Sequence, residues 1–338
     1  MMLISRVSSD SAIWATALKT RAASSMMTGH ALMATLLLIS GSVAQPVTAD
    51  AGEEAAIRAA QAEQEARAQQ ALTDSLTDAL AMLKHGSAGA KEQAAHGIAQ
   101  LAIETTISQP YHPVTFRNAC VKAGILEELV TLLEADAKGS TAEGKFHALR
   151  ALEAIATDDP STELDNGHAL AACRAGAVPP VVRLLSSDDQ RLQVAAAGCA
   201  AVLAENPQCQ TMLLARDATR PLLSLSTYGS DAAKLRAVAA LDLLALNNPA
   251  AHEAIAGAGG VKLLQGLQKF GGEQLREATA DLLKGVSAPD TLTVAVDTAG
   301  HARQAHQARL KHSKVWQSAL PVQRAQAPAQ QQGADDEQ

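Results

Sequence analysis

The sequence predicts an all-α protein built as a solenoid of stacked helical repeats. The first observation is a phrase that returns along the chain: a small-residue turn, two leucine-rich helical turns, an alanine-rich helix, then a proline. Its clearest copy runs Ala175-Gly176-Ala177-Val178-Pro179-Pro180-Val181-Val182-Arg183-Leu184-Leu185, then Leu192 to Leu203, then Asn206-Pro207. The second observation is spacing. Further copies begin near Ala123, Arg216 and Ala258, and the prolines that stop the phrases are Pro160, Pro207, Pro249 and Pro289. A period of roughly 40 to 50 residues belongs to helical solenoids. One such unit has too little apolar surface to fold alone, so neighbours stack and bury a continuous core. The third observation is composition: 47% of the chain is apolar but only 2% aromatic. Alanine supplies much of the apolar count, and it is the strongest helix former because it loses no side-chain entropy.

The elements follow in order. Residues 1–49 read as a targeting or disordered segment. Ala31 to Val43 carries no charge. It is shorter than the ~20 residues that span a bilayer and matches the apolar core of a signal peptide. Ser42-Val43-Ala44 and Val47-Thr48-Ala49 are small-x-Ala cleavage candidates, which places a mature N-terminus between Gln45 and Gly52. The upstream residues are Ser/Ala-rich and basic, like a transit peptide. An organelle lumen or the secretory pathway is the expected location, with a cytoplasmic protein bearing an untargeted N-terminus as the alternative. Residues 50–72 read as a solvated helical linker, since Ile57 is the one large apolar residue between Glu53 and Gln70. Leu72, Leu76, Leu80 and Leu83 then open an apolar stripe, and the solenoid is expected over 73–289. Insertions at Ser108–Arg117 and Glu134–Gly144 interrupt it; insertions in solenoids map to loops on one face. The tail is 290–338, with a basic helix expected over 301–320 and a low-complexity end.

The recurring phrase resembles the armadillo repeat. "AGAVPPVVRLLSSDD" followed by "RLQVAAAGCAAVLAENP" is similar to that family's second and third helices, and "NACVK", "ALAAC" and "AHEAI" to its short first helix. The resemblance implies an armadillo/HEAT-type right-handed superhelix of about five repeats, at 73–109, 118–160, 167–207, 208–249 and 250–289. The Gly turn points to armadillo over its two-helix HEAT cousin, because glycine lets the chain break sharply between the first and second helices.

Third helices align on their last apolar residue, and positions 1, 5, 8 and 12 before it share one face. The resemblance implies that this face lines a groove. The family's extended-peptide binders carry Asn at the first position and Trp at the second. Here the first reads Gln100, Ala154, Val202, Ala245 and Gly285, and the second His96, Arg150, Gly198, Leu241 and Asp281. The Asn ladder and the Trp shelf are both missing. What remains is polar toward the N-terminus (Gln93, His96, Gln100, His147, Arg150) and small and apolar in the middle (Ala195, Gly198, Val202, Val238, Leu241, Ala245). His96, Gln100, His147, Arg150, Val202, Val238 and Leu241 are therefore the candidate partner-binding residues. The apolar middle suits an amphipathic helix, unless superhelical curvature buries it.

No catalytic constellation is present in the sequence: there is no phosphate loop, no H-E-x-x-H and no G-x-S-x-G. No cofactor or metal is implied. The formal net charge of −7 argues against nucleic acid as a partner. Cys120, Cys173, Cys199 and Cys209 read as small buried residues. A Cys173–Cys209 bridge would require an oxidising compartment. The expected function is a non-enzymatic scaffold that binds a partner protein in the groove. Two other readings stand beside it: a lumenal Hsp70 accessory factor of nucleotide-exchange type, and a HEAT-like lyase. The tail carries its own candidate ligand, the segment around Leu310, Val315, Trp316 and Leu320, which is expected to dock in the groove near Val202 and Leu241.

Overall fold

The structure is a computed structural model. It describes residues 51–107, 113–134, 139–157, 167–287, 304, 307 and 308. Every regular element among the described residues is a helix. Two helices come first, α1 (Ala51–His85) and α2 (Ala88–Ile107). Four triplets follow. They are α3 (Pro113–Ala123), α4 (Ile125–Leu133) and α5 (Ala142–Ala156); then α6 (His168–Arg174), α7 (Val178–Leu184) and α8 (Gln190–Leu203). Next are α9 (Pro207–Ala215), α10 (Thr219–Tyr228) and α11 (Asp231–Ala245), and last α12 (Pro249–Gly257), α13 (Gly260–Phe270) and α14 (Glu273–Ser287). Residues from Leu72 onward form one compact unit. The apolar stripe that opens it is buried at Leu72, Leu76 and Leu83. No described helix is long and apolar enough to cross a membrane. The signal-like segment 1–49, Tyr111 of the first insertion and the tail end lie outside the described residues.

Each triplet is folded by three local signals. The break between first and second helices uses a left-handed residue at the same place each time. Gly124 (φ 76°), Gly176 (φ 92°) and Gly259 (φ 79°) serve three triplets, and Asp217 (φ 53°) serves the α9–α10 turn. Asp is among the few non-glycine residues that visit this region. Third helices begin on a side-chain cap. Thr141 accepts from the Gly144 N–H (2.8 Å), Asp189 from the Arg191 N–H (2.8 Å) and Ser230 from the Ala233 N–H (3.3 Å). Each cap satisfies a backbone donor that the helix leaves over.

The prolines act differently from their reading as stops. Pro207 and Pro249 occupy the first turns of α9 and α12, behind the Asn206 and Asn248 caps. Proline is suited there because that N–H has no helical partner to lose. These prolines therefore start the next repeat. Pro160 and Pro289 lie outside the described residues.

The third helices pack in series, α2 on α5, α5 on α8, α8 on α11 and α11 on α14. They form the spine of the core. In α8, Leu192 and every residue from Ala195 to Leu203 are buried. Second helices close the other side, with Ile125, Leu126, Leu129, Val130, Leu132 and Leu133 of α4 all buried. Polar side chains stitch the repeats at their corners. Arg183 Nη2 donates to the Leu133 carbonyl (2.7 Å), which caps the end of α4 from the next repeat. Buried Gln210 donates through Nε2 to the carbonyls of Leu243 (2.8 Å) and Ala204 (3.0 Å), while its Oε1 accepts from Asn248 Nδ2 (3.0 Å). Cys173 of α6 and Cys209 of α9 are joined by a disulfide, so two of the four cysteines are more than small packing residues. Cys120 and Cys199 are buried thiols; burial pushes Cys120 up to about 12.

Candidate partner-binding face

The third-helix line separates into two regions once its side chains are placed. On α2 and α5 it is surface. Gln93, His96 and Gln100 are exposed, and His147 and Arg150 are half-buried. On α8 and α11 it is core. Val202 is 2% exposed, Val238 and Leu241 0%, and Ala195, Gly198 and Ala245 are buried with them. The structure thus brings His96, Gln100, His147 and Arg150 together as surface. It withdraws Val202, Val238 and Leu241, which pack between repeats and present nothing to a partner.

Side-chain size explains the division. A third helix lined by alanine and glycine lets its neighbours approach closely, and large residues at the seam then fill the space. Gly198 shows this most directly. A Cβ there would stand 1.8 Å from Arg236 Nη1. The missing side chain is the slot through which Arg236, on α11, reaches across α8 to Glu153 on α5. Nη1 donates to Glu153 Oε1 (2.9 Å) and Oε2 (3.1 Å). Arg236 is 2% exposed and Glu153 9%. One ion pair therefore clamps three consecutive repeats. Arg150 shares the Glu153 carboxylate electrostatically. Burial lowers its pKa, Glu153 opposes that, and Arg236 adds a like charge. Of these three groups Arg150 is the one that reaches the face, as a half-buried guanidinium.

Toward the N-terminus a second polar chain lies at the surface. His96 Nδ1 and His147 Nδ1 are 3.2 Å apart, joining α2 to α5. His147 Nε2 lies 3.3 Å from Glu143 Oε1, one turn earlier on α5. Glu143 Oε2 accepts from Arg191 Nη1 (2.8 Å), at the start of α8. The Arg191 guanidinium sits 5.5 Å from the Phe146 ring centre, and Phe146 meets the edge of His147 at 5.4 Å. Burial, followed by the charge of His96, holds His147 below the usual histidine range, with Glu143 and Glu92 opposing. Two histidines, a carboxylate and a guanidinium thus cross three third helices without interruption.

Sequence reasoning missed Glu143, Phe146, Glu153, Arg191 and Arg236. Glu143 and Arg191 stand at the twelfth position of the shared register, so the pairing was within reach of the alignment. Glu153 and Arg236 fall off that line and carried no signal of their own. Trp316 lies outside the described residues. Of the tail, Gln304 accepts from Asn247 Nδ2 at the α11–α12 corner, and Ala308 packs partly buried against the core.

Among the described residues no group of three or more His, Cys, Asp or Glu side chains is arranged to hold a metal ion.

Comparison with known proteins agrees with this architecture. The family model for the armadillo/beta-catenin-like repeat matches residues 165–204, the triplet of α6 to α8. Solved structures similar to the chain include an engineered protein at 23% identity and TM-score 0.53, covering 72% of this chain and 97% of that one. A designed armadillo repeat protein matches at 20% identity and TM-score 0.52, covering 70% and 98%. Another designed armadillo repeat protein, in complex with the peptide (KR)4, gives the same four values. No curated protein matches the sequence. The central repeat, 165–204, matches the armadillo/beta-catenin-like repeat in sequence, and the helices around it share the fold of solved armadillo-repeat structures.

Proposed function

We propose that this protein is a non-enzymatic scaffold that holds a partner protein against the third-helix face of its N-terminal repeats. One observation carries the reading. Large polar side chains on α2 and α5 stand at the surface there, while Val202, Val238 and Leu241 on the same line of α8 and α11 are packed shut. The partner surface is built from Gln93, His96, Gln100, His147 and Arg150, with Glu143 and Arg191 continuing it. It lacks the regular Asn amides that would grip an extended peptide backbone, so recognition is by side chains. The Arg150 guanidinium favours an acidic group on the partner, since guanidinium pairs with carboxylate in a fixed fork. A designed protein of similar fold is solved in complex with the peptide (KR)4, which supports a binding role for this fold.

Photo-cross-linking in the native cell tests this. A photoreactive residue at Gln100 should capture a defined partner that one at exposed Tyr228, on a second helix, does not. Equal capture at both sites, or none at Gln100, would refute the assignment of the face.

A further inference from the structure

We propose that His96 and His147 form a two-ligand site for a divalent transition-metal ion of the zinc or copper class, on the seam between α2 and α5. Their Nδ1 atoms are 3.2 Å apart, and their ring centres are farther apart, at 4.4 Å. Both nitrogens therefore point into the gap between the rings. Zinc holds imidazole nitrogen at about 2.0–2.1 Å, so two such ligands at a near-tetrahedral angle stand roughly 3.3 Å apart. The observed separation is that bite, already set in the protein.

The outer contacts match as well. A ligating histidine commonly donates its other N–H to a carboxylate, which fixes the tautomer and aims the lone pair. Glu143 Oε1 stands 3.3 Å from His147 Nε2, at ion-pair distance, and its charge favours the proton on that nitrogen. Its other oxygen is held by Arg191 at 2.8 Å, so the carboxylate is itself oriented. With the His147 proton on Nε2, its Nδ1 is bare and accepts from His96 Nδ1–H. On metal binding the His96 proton moves from Nδ1 to Nε2, which leaves both rings neutral and both Nδ1 lone pairs on the ion. Glu92 faces the same pair, anchored by the Thr141 hydroxyl at 3.0 Å, and adds negative charge without joining a cluster. Because no third protein ligand completes the set among the described residues, the remaining coordination positions are open to water or to a partner's side chain. The site does not depend on the scaffold reading, since it would bind the ion with no partner present.

The test is titration of untagged full-length protein with zinc and with copper(II) by calorimetry, with the copper form examined by electron paramagnetic resonance. The expected result is one equivalent bound ahead of any weaker sites, and a copper signal split by two nitrogens. His96→Gln and His147→Gln should each weaken that equivalent at least tenfold. Glu143→Gln should weaken it about tenfold, the usual cost of losing an outer carboxylate. Circular dichroism melts of each variant would verify folding. A folded His96→Gln/His147→Gln double variant that still binds the first equivalent like the parent overturns the proposal, and so does a copper signal without two-nitrogen splitting.

Discussion

The α2–α5 seam and the α8–α11 seam occupy the same register of the same repeat, yet one is a surface and the other a core. On α2 and α5 the second position is His96 and Arg150; on α8 and α11 it is Gly198 and Leu241. The polar pair stays in contact with solvent, whereas Gly198 is covered by an arginine from the next repeat and Leu241 is fully buried. Family register alone therefore does not say where an armadillo face is open. The sizes of the residues on neighbouring third helices decide it, because a glycine or alanine at the line admits the adjacent repeat instead of a ligand. The α8–α11 seam is packed as core, and the α2–α5 seam is the proposed recognition surface; substitutions can break either half of that statement.

The largest effect is expected at Gly198→Ala. The added methyl would fall 1.8 Å from Arg236 Nη1 and also 3.0 Å from Glu153 Oε1. At 1.8 Å the guanidinium must leave its slot. Breaking a buried ion pair by displacing one of its members costs about 3–5 kcal/mol. Chemical denaturation of the variant should show a loss of that order. A midpoint equal to the parent's would mean that the slot is not closed and that α8 is looser than described.

The next expectation concerns the clamp itself. Arg236→Met and Glu153→Leu should each destabilise by about 3–5 kcal/mol, because each breaks a buried ion pair by removing one of its members. The double variant should recover most of that loss, since well-packed apolar replacements for a buried ion pair are often neutral. A double-mutant cycle measures the coupling directly. If the two losses simply add, Arg236 and Glu153 act on stability separately and do not clamp three repeats.

Leu241→Ala against His96→Ala compares the two seams at one register position. Leu241 is wholly buried, so truncation should cost about 2–5 kcal/mol through lost contacts and a residual cavity. His96 is exposed, and its truncation should cost well under half as much. Equal costs would erase the distinction between the seams.

Much of this molecule was legible from its sequence because the repeat writes itself several times. The helix-rich solenoid follows from the alanine content and the returning Gly turn, and the turn glycines do adopt the left-handed conformation at Gly124, Gly176 and Gly259. Asp217 takes the same conformation without being glycine, which is why that copy of the phrase is weaker in sequence. The polar members of the candidate face were legible too, since His96, Gln100, His147 and Arg150 are large residues on a line that a helix of 3.6 residues per turn must share. The burial of Val202, Val238 and Leu241 was not. Periodicity places a residue on a face of its own helix, but only the packing of the next repeat decides whether that face sees water. The Glu153–Arg236 pair was equally hidden, being separated by 83 positions and joined across a glycine.

The smallest effect on stability is expected at Gln93→Ala and Gln100→Ala, and it tests the recognition half of the comparison. Both side chains are exposed on α2. Surface substitutions away from core contacts usually stay within about 0.5 kcal/mol, and alanine is at least as good a helix former as glutamine. Thermal melts of the two variants should therefore overlay on the parent. Partner capture should not: the same truncations remove polar contacts from the centre of the proposed surface, and loss of a desolvated interface contact typically costs more than 1 kcal/mol of binding at the residues that matter. The informative outcome is the split between the two measurements. Unchanged folding with weakened capture places the partner on the α2–α5 seam. Unchanged folding with unchanged capture removes Gln93 and Gln100 from the interface and leaves that seam without a recognition role at its N-terminal end.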